Sequence, residues 1–211
     1  MPEKHIPYYK VQDAFSQKEC PVCFLVRDSI EKYYQGVFNG KAIDPDFNDK
    51  LRLNKGFCNL HSHKLQEYND GVGVAIMYKL LFSDAIKDIK SIKSNNKKKI
   101  EKCLICEYLY ENEKRYLSIV SEHISDSEFK ENFLKSDGLC VFHYKEFLRK
   151  NKKIPNWFSG YHNNRFIEKL SMLEKFLAAH EFTNKNKYAL KYDADIWKNV
   201  VSQLAAFKGR I

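Results

Sequence analysis

Apolar residues recur along this chain at three- and four-residue spacing, in blocks parted by short polar stretches, which is the period of amphipathic helices. Phe24, Val26, Ile30, Tyr33, Tyr34 and Val37 predict a helix opening at Cys20-Pro21 and ending at Phe38. Pro21 suits a first turn, where a missing N–H costs little, and Asn39-Gly40 stops the helix. Asp44-Pro45 pairs an N-cap with a proline at the first helical position and predicts a short helix, Asp46 to Leu53. Gly56 allows a sharp entry into a helix that carries Cys58 and His61 and runs to Tyr68. Ile76, Met77, Leu80, Leu81, Ile86 and Ile89 then predict a longer helix from Val74 to Ile92.

The second half of the pattern copies the first. A helix is predicted from Ile100 to Ile124 and a short one up to Lys135, where Ser125 and Glu128 have capping-box spacing. A third follows Asp137-Gly138 and ends at Lys150. After Pro155 a long helix from Trp157 to Phe182 carries Phe166, Ile167, Leu170, Leu173, Phe176 and Leu177. Asp193 or Asp195 caps a last helix, Ile196 to Phe207. At the N-terminus, Pro7 argues against regular helix through Ile6-Pro7-Tyr8, with a helical turn from Val11 to Phe15. Only 8 glycines and 5 prolines in 211 residues, with 44% hydrophobic residues, fit an all-α fold with a real core. No apolar run approaches the roughly 20 residues a membrane helix needs. Met1-Pro2-Glu3-Lys4-His5 leads into no signal-peptide core, so a cytoplasmic protein without membrane attachment is expected.

The copying is an internal duplication. Cys103 and Cys106 follow Cys20 and Cys23 at an offset of 83, and Cys140 and His143 follow Cys58 and His61 at 82. Tyr33 maps onto Tyr116, Phe47 onto Phe129, Gly56 onto Gly138 and Leu65 onto Phe147. The expected organisation is a first repeat over 1–95, a second over 96–182 and a helical tail over 183–211, with the polar stretch Ser94 to Lys99 as linker.

All 6 cysteines fall in these motifs. Each half offers a CxxC and a CxxH: Cys20, Cys23, Cys58 and His61, then Cys103, Cys106, Cys140 and His143. Three thiolates and an imidazole close a tetrahedral zinc site, whereas a disulfide framework has no use for a histidine three residues after a cysteine. The CxxH spacing puts both donors on one face of a first helical turn, where N–H groups favour a thiolate. The duplication favours pairing within each half; pairing across halves, with both CxxC motifs in one all-cysteine site, is the alternative. An iron–sulfur cluster is the competing cofactor, although it prefers all-cysteine ligands. His63 points away from His61 at i+2. His5, His123, His162 and His180 read as ordinary surface or helix histidines, and Tyr33, Tyr34, Tyr108, Tyr110 and Tyr116 as packing around the metal.

These motifs resemble an uncharacterised prokaryotic family known only as a domain of unknown function. The resemblance rests on Ile6-Pro7 with Asp13-Ala14-Phe15, on Cys20–Cys23, on Asn54–His61, on Cys103–Cys106 and on Gly138–His143. Leu139 stands where the family pattern has Phe, and residues 183–211 depart from it. The resemblance implies the eight ligands and no activity.

No Gly-rich phosphate loop, HExxH or GxSxG motif is present, so interaction with a protein partner is expected before catalysis. Two zinc ions per chain would staple halves too small to be stable alone. The runner-up function is electron transfer or redox sensing by a redox-active metalloprotein. A third is nucleic-acid binding by a basic zinc module: the net charge is +9, yet lysines cluster only at Lys97-Lys98-Lys99, Lys102 and Arg149–Lys153.

Overall fold

The computed structural model of the chain describes residues 3–68, 70–91, 103–180 and 191–207. Among these there are ten α-helices and no strand, so the chain is all-α. The linker over 94–99 and the loop over 183–187 lie outside the described residues, as do the expected helix limits at Ile92, Ile100 and Phe182. No helix among the described residues is long and apolar enough to cross a membrane.

Helix α1 spans Ile6–Ala14, through the proline that was expected to break it. Pro7 falls in the first turn, where the backbone N–H groups have no intrahelical partner to lose. Helix α2 spans Pro21–Phe38 and α3 spans Pro45–Leu53, whose N-cap Asp44 accepts from the Asp46 N–H at 3.0 Å. The CxxH helix α4 is short, Asn59–Lys64, and tightens into a 3₁₀ turn over Leu65–Tyr68. Helix α5 spans Gly71–Ser91. In the second repeat α6 (Leu104–His123), α7 (Ser127–Lys135), α8 (Val141–Lys150) and α9 (Asn156–His180) take the same order, and α10 (Ile196–Ala205) follows. The cap of α7 is Asp126, not Ser125: its carboxylate accepts from the N–H groups of Glu128 at 2.9 Å and Phe129 at 3.2 Å. A carboxylate suits the positive end of the helix dipole better than a hydroxyl one residue too early.

The described helices gather into two compact units that divide the chain differently from its repeats. One unit takes the chain up to Val26 and again from Glu113 onward; the other takes Arg27 to Asn112. The core of the first is aromatic. Phe15 meets Phe129 and Phe133 edge-on at 5.1 and 5.4 Å, and Phe158 lies 5.0 Å from Phe133 and 4.9 Å from Phe147. Lys4 pairs with Glu128 at 2.8 Å, which ties the N-terminal segment to α7. In the second unit Tyr34 stacks on Tyr68 at 5.1 Å, and Leu51, Leu65 and Met77 are fully buried.

The apolar stripes of the two long helices are only partly covered. On α5, Met77 is buried, but Phe82 and Ile89 are exposed. On α9, Phe158 is buried, while Ile167, Leu170 and Leu177 are exposed.

Candidate metal centres

Both CxxH motifs are built in the same way. A glycine with positive φ, +94° at Gly56 and +68° at Gly138, turns the chain so that the cysteine becomes the N-cap of the next helix. The long helix of the same repeat presses on that turn. A Cβ on Gly56 would lie 3.1 Å from Leu81 of α5, and one on Gly138 would lie 2.9 Å from Tyr161 of α9. A Cβ would force the Tyr161 ring aside at Gly138 and would need the Leu81 methyl to give way at Gly56, and neither φ suits a side chain.

His162 secures the second of these turns. Its Nδ1–H donates to the Phe158 carbonyl at 2.8 Å, which leaves Nε2 to accept the Leu139 N–H at 3.0 Å. Burial pushes its pKa down to about 4, so the ring is neutral and suited to accept that bond. His162 is therefore a buried support beside Cys140, not the ordinary helix histidine expected. His123 also departs from expectation: it is buried against Tyr8, at 4.5 Å between ring centroids. His63 is exposed, as its i+2 position requires. Tyr34 and Tyr116 are buried, whereas Tyr108 and Tyr110 reach the surface.

All eight candidate ligands come together in two groups of four. The grouping differs from the expected one. Cys20 and Cys23 join Cys140 and His143, all four buried, and Cys58 and His61 join Cys103 and Cys106. Each group thus takes its CxxC from one repeat and its CxxH from the other, and each lies within one compact unit. Pairing within a half is overturned, and so is the all-cysteine alternative.

The length of the CxxC helix supplies the reason. The Tyr34 hydroxyl donates to the His61 carbonyl at 3.2 Å, which docks α4 beside the far part of α2. Tyr34 is three turns beyond Cys23, about 16 Å along the axis. A CxxH seated there is out of reach of its own CxxC. The opening of α6 arrives instead, with Tyr108 packed 4.9 Å from Tyr33. In the other group His143 likewise meets α6 beyond its CxxC, at Glu113.

In the first group, Nδ1 of His143 lies 3.5, 3.3 and 3.2 Å from the sulfurs of Cys20, Cys23 and Cys140, and the Cys23 and Cys140 sulfurs are 3.7 Å apart. In the second, Nδ1 of His61 lies 3.2, 3.6 and 3.4 Å from Cys58, Cys103 and Cys106, with 3.7 Å between the Cys58 and Cys106 sulfurs. Within each group every ligand atom lies within 4.8 Å of the others. A tetrahedron around one ion with metal–sulfur bonds of about 2.3 Å and metal–nitrogen bonds of about 2.05 Å has edges of about 3.75 and 3.6 Å. The donor atoms thus stand at nearly the spacing a single ion requires.

The electrostatics of the groups follow from crowding thiols together. Hydrogen bonds from Cys20 and Cys23, with the backbone N–H of His143, hold Cys140 down to about 4. The same contacts, seen from the other side, push Cys23 up. Burial alone would lower the His143 ring, but the Cys20 sulfur and Glu113 outweigh it and raise it to about 9. In the second group burial opposes ionisation of Cys103, yet the bond to His61 brings it below the ordinary thiol value; burial and the Cys103 charge push Cys106 up. A divalent ion would relieve this competition by replacing the shared protons.

One participant carried no sequence signal. Glu113, buried on α6, lies 3.2 Å from Nε2 of His143. With an ion bound, it would accept from Nε2–H and hold the tautomer whose Nδ1 lone pair faces the sulfurs. Carboxylate–histidine–metal chains have this form. The repeat offset maps Glu113 onto Ile30, so the first repeat has no counterpart.

A family model described as "Family of unknown function (DUF6062)" matches the chain twice, over residues 2–100 and 83–202. The two matches start 81 residues apart, close to the repeat offsets of 82 and 83. Comparison with curated proteins and with solved structures gives no match.

Proposed function

Since this chain belongs to DUF6062, a family of unknown function, its own geometry has to speak for its role, and we propose that it is a zinc protein in which two Cys₃His sites hold together a helical interaction module. The carrying observation is the two sets of three sulfurs and one Nδ1, each within 4.8 Å. Four protein donors fill a tetrahedral site and leave no position for a water or substrate, the usual arrangement of structural zinc. A cubane cluster of four irons and four sulfides spreads its ligand sulfurs around the whole cube and needs a wider cage than these edges allow. The short edges favour one ion per set.

Each site links chain segments distant in sequence. The first ties the start of α2 to the start of α8; the second ties α4 to the opening of α6. A protein partner fits the exposed apolar residues better than nucleic acid does. Leu170 and Leu177 on α9, with Trp197, Val201 and Leu204 on α10, offer contact area, whereas along the sequence the lysines cluster only at Lys97-Lys98-Lys99, Lys102 and Arg149–Lys153.

The test is metal analysis with a visible spectrum on protein purified without oxygen. The expected result is two zinc per chain, one for each set, and no visible band. Iron with acid-labile sulfide overturns the zinc reading, and metal-free protein with free thiols overturns metal binding altogether.

A further inference from the structure

The two sets have the same donors and one sulfur pair each at 3.7 Å, but not the same exposure. Cys20, Cys23, Cys140 and His143 are all buried, each with at most 4% of its surface exposed. In the other set only His61 and Cys103 are buried; Cys58 and Cys106 are both half-buried. These two sulfurs are also neighbours, 3.7 Å apart. The outward edge of the second set is therefore a pair of sulfurs, one from each repeat. The equivalent close pair in the first set, Cys23 and Cys140 at 3.7 Å, is sealed.

We propose that Cys58 and Cys106 form an oxidative modification site that takes a small hydroperoxide as its substrate, joins the two sulfurs as a disulfide and releases the metal of the second set while the first keeps its own. The metal part of this inference rests on the zinc reading above. Oxidation of cysteine follows thiolate character and access, and metal-bound sulfur is thiolate by definition.

The chemistry balances without a further reactant. One thiolate attacks an oxygen of the hydroperoxide: an S–O bond forms, the O–O bond breaks and the leaving oxygen takes a proton as water or alcohol. The second thiolate attacks the resulting sulfenic sulfur: the S–S bond forms, the S–O bond breaks and hydroxide leaves, taking a second proton. Two sulfurs lose two electrons, the peroxide gains them, and zinc departs without change of oxidation state. A disulfide holds its sulfurs at about 2.05 Å, so the pair closes by less than about 2 Å. Because Cys58 precedes α4 and Cys106 lies on α6, the disulfide keeps the link between these segments after the metal has gone. The metal then leaves without loss of the cross-link.

The experiment uses the zinc-loaded full chain and hydrogen peroxide, with released zinc followed by a chelating dye and samples alkylated over time for peptide mass mapping. The expected result is loss of one of the two zinc ions, a first disulfide joining Cys58 to Cys106, and Cys20, Cys23 and Cys140 still open to alkylation after unfolding; a thiol reductant with zinc restores the starting state. A first disulfide that involves any cysteine of the buried set, or one joining Cys103 to Cys106, overturns the assignment. So does loss of both ions at the same rate, or oxidation with no disulfide. Metal content before peroxide is added tests the zinc reading separately. If the protein holds no zinc, the disulfide map still decides the pair: Cys58–Cys106 first upholds it, and any other order overturns it.

Discussion

Glu113 is the residue on which the two centres differ. Its carboxylate holds His143 from behind, and the repeat places Ile30 at the matching position. Removing such a partner weakens metal binding by about 10- to 100-fold. Glu113→Gln is expected to lower zinc retention at the set with Cys20, Cys23, Cys140 and His143 by that factor, and to leave the other set unchanged; competition against a chelator of known affinity measures both. His162 supplies a second residue-scale expectation. Its folded pKa of about 4 lies below the ordinary 6.5, because burial disfavours the charged ring. The unfolded chain therefore takes up a proton in a pH range where the folded chain does not. The stability this group contributes is full above pH 6.5 and is lost as pH falls toward about 4, by up to roughly 3 kcal/mol. Chemical denaturation at matched metal content should show wild type losing more stability than His162→Gln over that window.

At the scale of elements, α7 shows how a short helix is placed. Its nine residues are too few to be stable in isolation. Asp126 caps it, Lys4 lies 3.5 Å from that carboxylate, and Phe129 and Phe133 enter the aromatic core. Asp126→Ala is expected to cost about 1 to 2 kcal/mol, read from a denaturant midpoint. Asp126→Asn keeps the cap and should lose much less. The helix α4 makes the opposite point. The sequence reads as one helix from Cys58 to Tyr68, but regular α-helix stops at Lys64 and a 3₁₀ turn finishes the segment. That turn delivers Tyr68 to the face of Tyr34, while its hydroxyl meets Glu31. Tertiary packing, invisible to local periodicity, chose the tighter winding.

At the scale of the molecule, the exchange of CxxH motifs between repeats changes what ions held by these sets would do. Pairing within halves would staple each repeat to itself. The observed pairing makes each site depend on both repeats, so neither repeat alone brings together either set of four. Fragments 1–95 and 96–211, produced together, are expected to co-purify with two zinc ions and to separate when a strong chelator is added; size-exclusion chromatography with metal analysis reads both. Fragments that separate while each retains its zinc would contradict the exchange. Each of the two long helices also keeps exposed apolar residues. Their periodic apolar residues predict burial, yet Ile86, Ile89, Ile167 and Leu170 remain exposed, so the pattern is satisfied only in part inside this chain.

The sequence by itself determined most of the helices, the duplication and the eight candidate ligands, because each is a local matter: spacing along one helix, a cap, a glycine before a cysteine. Spacing also decided the donor types, since a histidine three residues after a cysteine is a property of one turn. Only the tertiary structure decided which motif meets which. In the first repeat the CxxH is seated three turns along α2 from its own CxxC, in the second it meets α6 at Glu113, beyond its own CxxC, and no pattern along the chain records that displacement. The same holds for Glu113 and His162. A buried carboxylate and a buried imidazole look like any polar residue on a helix until the fold places His143 and the Leu139 N–H against them.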